Sequence, residues 1–218
     1  MYCIELHFHT AESSHCGRVP AEEGVRQYRE AGYSGIVVTD HFSMKERGGP
    51  KDRQWNKVCA RFLRGYHAAK AAAADMDFSV FLGMEIRFPY DENDFLVYGF
   101  TEEFLLEHPW IYMKGLKEFK ELADREGLYI VQAHPFRPKC FLADTGCIHG
   151  IEVYNGNPRH NSHNDKALRA AEKYKLGRTV GSDFHQPDDI ACRRAEFKWM
   201  PWTEKELAEM LWKGEFKI

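Results

Sequence analysis

The sequence predicts an α/β fold in which βα units curl into a closed or distorted barrel. Three observations carry this reading. Short apolar runs alternate with longer amphipathic stretches along the chain. Eight such runs, at residues 3–6, 35–39, 79–86, 95–100, 129–133, 150–154, 178–181 and 195–199, favour a barrel over an open sheet. Histidines and acids gather at or just past the ends of these runs, and α/β barrels build their active sites at the C-terminal strand ends.

The stretches between the runs carry helix signals. Residues 20–30 open with Pro20, followed by Glu22 and Glu23, which suits a first helical turn. Residues 52–74 end in an alanine-rich tract, and residues 113–126 and 164–174 space apolar side chains at helical intervals. Thr203, with Glu206 three positions on, is a capping-box pattern for a helix over 203–211. No repeat, low-complexity tract or linker interrupts the 218 residues, so a single domain over 1–218 is expected.

Composition narrows the function. Hydrophobic residues make up 44%, enough for a sizeable core, and charged residues 29% with both signs mixed, which argues against disorder. The net charge of -3 lacks the basic excess of a protein that grips long nucleic acid. A small anionic substrate stays compatible, because bound cations supply local positive charge. Nothing at the N-terminus reads as a signal peptide, and no run approaches the ~18 apolar residues of a membrane span. Six cysteines are scattered without a C-x-x-C pair, as expected for reduced thiols in the cytoplasm. Aromatics reach 14%, but the five tryptophans are dispersed, as in ordinary packing.

The pairs His7-Phe8-His9 and Asp183-Phe184-His185 are both i, i+2 arrangements. In extended chain such residues share a face, with the intervening Phe turned to the core. One such pair is a weak signal; two at strand ends are a strong one. Asp40-His41 follows an apolar run, and an acid beside a ligand His often supports it from behind. Glu85 lies inside the apolar segment Phe-Leu-Gly-Met-Glu-Ile, where an inward carboxylate is costly without a cation. His134 is followed by Pro135, which stops the strand, and then by Arg137 near the same mouth. Imidazole and carboxylate together suit Zn, Mn or Fe.

The ordered set H-x-H, T-D-H, G-x-E-I, A-H-P-F-R and G-S-D-x-H resembles the PHP (polymerase and histidinol phosphatase) superfamily over nearly the whole chain, from Glu5 to His185. The resemblance implies a distorted (β/α)7 TIM-like barrel with two or three divalent ions at its mouth. Carried over by position, it implies a first metal on His7, His9, Glu85 and Asp183. A second would share Glu85 and add His134 and Asp94. A third would take His15, His41 and His185. Asp94 stands where relatives often carry His, and the harder ligand shifts preference toward Mn or Fe.

The resemblance further implies a metal-dependent hydrolase of phosphate esters, with a metal-activated hydroxide as nucleophile. Glu85, Asp183 and His185 are the catalytic candidates. Arg137, Arg159, His160 and Arg193, with Asn155, lie past strand ends or in loops that can overhang a phosphate. The expected substrate is a small phosphomonoester. A phosphodiesterase or exonuclease acting on nucleotides or short nucleic acid is the alternative, and a non-catalytic metal-binding module is the third reading.

Overall fold

In the second, fifth and sixth strands every residue is buried, so the sheet is covered on both faces and reads as unbroken apolar runs. The computed structural model describes residues 1–44, 54–190 and 193–218. Its strands are β1 (Tyr2–Phe8), β2 (Gly35–Val38), β3 (His41–Phe42), β4 (Ser79–Ile86), β5 (Phe95–Tyr98), β6 (Tyr129–Gln132), β7 (Gly150–Asn155), β8 (Gly177–Gly181), β9 (Ala195–Phe197) and β10 (Phe216–Lys217). Its α-helices are α1 (Ala21–Glu30), α2 (Trp55–Phe62), α3 (Arg64–Ala73), α4 (Glu102–Glu107), α5 (Leu116–Glu126), α6 (Asn164–Tyr174) and α7 (Glu204–Lys213).

The strands form one mixed sheet in the order β10-β9-β1-β2-β4-β5-β6-β7-β8, with β3 also paired to β4. The closed or distorted βα barrel expected from sequence is met in part, by a curled α/β sheet that stays open. The loop from β4 to β5 is too short for the crossover of a dozen or more residues that parallel pairing needs. These two strands therefore pair antiparallel, as do β5 and β6, and β9 with β1. The path is open and curled into a half-barrel. The end of β1 and the chain just past β8 meet at one parallel bridge, Phe8 to Phe184, where His9 N donates to Phe184 O (3.2 Å) and Phe184 N to His7 O (3.2 Å).

That bridge shows where the two intervening phenylalanines go. Phe8 and Phe184 turn into the core and stack at 4.8 Å, capped edge-on by Tyr28 of α1. Gly24 lets α1 lie this close, since a Cβ there would stand 2.3 Å from the Phe8 ring.

The helices largely follow their signals. The stretch over 52–74 splits at Leu63 into α2 and α3, and its first two residues lie outside the described ones. The stretch over 113–126 begins as a short 3-10 turn and becomes α5 only at Leu116. Thr203 caps α7 by accepting from Glu206 N at 3.1 Å. Glu206 reaches back to Trp202 N rather than to the cap residue itself, so the box is offset by one position. Among the described residues no helix is long and apolar enough to cross a membrane.

Candidate metal centre

β1 delivers His7 and His9 to the bridge, and both are fully buried. Their Nε2 atoms stand 3.1 Å apart. β4 brings Glu85 against them, because β3–β4 pairing places His41 directly beside it. Glu85 then touches four imidazoles. Oε1 lies 3.0 Å from His134 Nε2 and 3.5 Å from His7 Nε2. Oε2 lies 2.8 Å from His41 Nδ1 and 3.3 Å from His9 Nε2. Asp183 closes the ring, its Oδ1 at 3.5 Å from His7 Nε2, 3.4 Å from His9 Nε2 and 3.3 Å from His185 Nδ1.

The partners behind these rings decide which nitrogens face the centre. His7 Nδ1 lies 2.8 Å from Glu152 Oε1, an acceptor, so Nδ1 carries a proton and Nε2 is the nitrogen turned to the centre. Ser14 Oγ donates to Asp40 Oδ1 (2.6 Å) and therefore accepts from His9 Nδ1 (3.2 Å). His185 Nδ1 donates to the Asp183 carbonyl at 2.7 Å. In all three rings the inward atom is Nε2. Two imidazole nitrogens at 3.1 Å, walled by two buried carboxylates, call for positive charge between them, supplied by protons or by a cation.

Electrostatics give the same picture. Burial pushes His7 down, but Glu152, Asp183 and Glu85 outweigh it and hold the ring well above its usual value. Burial pushes Glu85 up, yet His41, His7 and His134 keep it well below the usual carboxylate range. Asp183 behaves alike, held down by His7, His9 and Arg137 against its burial. Glu85 Oε2 and His134 Nδ1 are buried without a well-aligned hydrogen bond, Oε2 lying near His41 but off its donor direction. His134 and Asp183 also sit at φ 28° and 55°, left-handed geometry that non-glycine residues adopt at a cost and that clusters at functional sites. Three overlapping groups satisfy the reach of one cation each: His7, His9 and Glu85; His9, His41 and His185; and His41, Glu85 and Asp94. The donor set therefore fits divalent ions.

The shell behind the ligands was only partly legible in sequence. Glu152, inside β7, holds His7 with one oxygen and accepts from His134 N (2.9 Å) and Asn155 Nδ2 (2.9 Å) with the other. Its signal is a fully buried acid in an apolar strand, the same mark that singled out Glu85. Asp40 supports the site as expected, but through different atoms. It accepts from Thr10 N and Thr10 Oγ1 (2.7 Å each) and from Ser14, and so steadies His9 rather than the ring of His41. α3 starts directly on this pair, because Gly65 has no Cβ to strike Thr10 Oγ1 at 2.0 Å. Glu5 lies beneath, its Oε1 accepting from His7 N (2.8 Å) and Ser182 N (2.9 Å).

Comparison with known families matches the PHP domain over residues 5–212. The chain belongs to the PHP family. Curated proteins give no match. Among solved structures it is similar to PsfC from Pseudomonas syringae (17% identity, TM-score 0.66, covering 95% of this chain and 87% of that one). It is also similar to a two-domain protein from Bacteroides vulgatus described as containing a predicted PHP-like metal-dependent phosphoesterase (20% identity, TM-score 0.61, covering 85% and 52%). A third likeness is to the lesion-specific endonuclease Q of Pyrococcus furiosus (15% identity, TM-score 0.58, covering 97% and 56%). The chain thus spans about half the length of the Bacteroides and Pyrococcus proteins. At these identities the likeness is one of fold.

Most of the remaining expected residues of this PHP domain fall around a cavity of about 570 Å³ beside the histidine–carboxylate cluster. Asp94 faces it but is also clasped by Arg87, which donates from Nε at 2.6 Å and from a second nitrogen; sequence reasoning missed this partner. Arg137 reaches in to donate to Asp183 Oδ2 (2.5 Å) and Asn155 Oδ1 (3.0 Å). Arg159 lies at the rim, held by both oxygens of Asp189 (2.6 and 2.5 Å), with His160 beside it. Arg193 does not line the cavity; its guanidinium lies 5.0 Å over the Tyr154 ring. His15 is exposed at the rim, its ring 6.0 Å from that of His41. Its neighbour Cys16, which the sequence reading left among the scattered reduced thiols, points inward between His41 and His185. Burial pushes this thiol up, but hydrogen bonds from His185 and His41 prevail and bring it down to about 5.

Proposed function

We propose that this PHP domain, as a single unit over 1–218 that keeps the family's distorted (β/α)7 plan in half-barrel form, hydrolyses the phosphate ester of a small molecule with the help of two or three divalent ions. The observation that carries the reading is the convergence of His7 and His9 Nε2, 3.1 Å apart and flanked by Glu85 and Asp183. His7, His9, Glu85 and Asp183 would hold one ion, Glu85 with His134 and Asp94 a second, and His41 with His185 and His15 a third. Bound there, zinc, manganese or iron supplies positive charge and acidifies a water.

The chain's own part is to hold and orient. Glu85, kept ionised, offers one oxygen to each side of the cluster, which suits a bridging role. Asp183 and His185 are joined by their own peptide geometry and lie at the cavity floor, where the reacting phosphate would sit. Arg137 and Arg159 present guanidinium groups at floor and rim, suited to phosphate oxygens, and His160 stands beside them. A cavity of about 570 Å³ matches a small ligand.

The fold likeness to endonuclease Q favours a second reading, cleavage of a phosphodiester in nucleic acid. The net charge of -3 weighs against a long polyanion. One experiment tests both readings: phosphate release from histidinol phosphate, nucleoside monophosphates and 3′,5′-bisphosphates, beside cleavage of an aryl phosphodiester and of lesion-bearing duplex DNA, each with zinc, manganese or iron. Turnover of a monoester that Glu85→Gln abolishes, together with its metal content, supports the proposal. Cleavage of DNA or diester alone replaces it with the second reading. Inertness of metal-loaded, folded protein toward every substrate refutes both.

A further inference from the structure

Cys16 occupies a place that the ligand set does not assign. Its Sγ lies 3.1 Å from His41 Nε2 and 3.0 Å from His185 Nε2. The His185 ring is fixed with Nδ1 as donor to the Asp183 carbonyl, so its Nε2 is the nitrogen that faces the sulfur. His41 is anchored from the other side by Glu85, whose Oε2 is buried and lacks a well-aligned hydrogen bond. Thus the sulfur and two imidazoles converge on one point at the wall of the cavity. His9 belongs with His41 and His185 to a group that can reach one cation. His15, one residue earlier, is the exposed member of the pair, whereas Cys16 is half-buried against the ligands.

We propose that Cys16 is a thiolate ligand of the ion held by His41 and His185, which makes this position a sulfur-containing site within an otherwise nitrogen- and oxygen-donor cluster. The inference rests on the metal-binding reading above and specifies one of its sites. On binding, the thiol proton leaves to solvent and the sulfur's charge is neutralised by the cation. A soft donor selects zinc, iron or cobalt there over magnesium or calcium. The cluster is then chemically uneven: the His134–Asp94 side is harder, the His41–His185 side softer.

Cobalt substitution reads this out without any substrate. Protein stripped of metal and reloaded with cobalt is expected to show a near-ultraviolet thiolate-to-cobalt charge-transfer band. Cys16→Ser should abolish the band while cobalt remains bound at the other positions. Cys3, near the N-terminal end of β1 and remote from the strand end that carries His7, supplies the control: Cys3→Ser should leave the band unchanged. Independently of any variant, zinc should protect Cys16 from alkylation in peptide mapping of the wild-type protein. Cobalt bound without the band, a band that survives Cys16→Ser, or equal alkylation of Cys16 with and without zinc overturns the proposal and leaves metal binding by histidine and carboxylate intact. Failure to bind cobalt at all overturns both.

Discussion

Glu5 sits beneath the ligand cluster as a carboxyl group with no solvent around it. It is 2% exposed, and burial raises its pKa from the usual 4.5 to about 7, even though Ser182 and His7 offer it backbone hydrogen bonds. Between those two values the folded protein keeps a proton that the unfolded chain has released. Folding stability therefore falls as pH rises from about 4.5 to about 7, and the loss is complete above that. The interval from 4.5 to about 7 corresponds to about 3 kcal/mol, a large share of the roughly 5–15 kcal/mol that holds a domain together. Glu5→Gln removes the titration and retains a side-chain oxygen for both backbone donors. In urea unfolding of metal-free protein, the variant should gain about 2–3 kcal/mol on wild type between about pH 5 and pH 8. Their stabilities should converge at the acid end. The difference between the two proteins isolates Glu5 from the histidines, which titrate in both. Parallel stability curves across that range would refute the assignment of a neutral, buried Glu5.

Other outcomes follow from the same geometry. Glu152→Gln should weaken metal binding by about 10–100-fold, the usual loss when the partner behind a ligand histidine is changed, as measured by chelator competition. Arg137→Ala removes a charged hydrogen bond worth about 1.5–3 kcal/mol. It should lower kcat/KM by about 10- to 100-fold with metal content intact, and unchanged kinetics would remove Arg137 from the substrate's path. Gly65→Ala would place a Cβ 2.0 Å from Thr10 Oγ1 and 2.4 Å from Asp40 Oδ2. A destabilisation of about 1–3 kcal/mol is expected, seen as a lowered Tm, together with weaker metal retention as the support behind His9 shifts.

Much of the proposed ligand set was legible because its signals are local. His7 with His9, and Asp183 with His185, declare a shared face by spacing alone, and Phe8 and Phe184 do turn into the core between them. Glu85 betrayed itself as an acid inside an apolar strand. Glu152 carried the same mark, without a motif around it to draw notice. Asp94 was expected as a ligand from its place before β5, and the structure adds Arg87, a competing cation that no spacing could reveal. Arg193 looked like a phosphate clasp from its loop position but is drawn onto Tyr154.

Residue identity and near-neighbour spacing determined the chemistry: which donors exist, that they are histidine and carboxylate, and that they stand at strand ends. These are properties of a few consecutive residues, so the sequence by itself contains them. Tertiary structure alone decided what depends on distant chain segments. The hydrogen bond that orients His7 comes from Glu152, 145 positions away, and the imidazole that meets Cys16 from His185, 169 positions away. The course of the sheet likewise rests on pairing between remote strands, β1 with β9, and Glu5 acquires its altered acidity only when the surrounding chain excludes water from it.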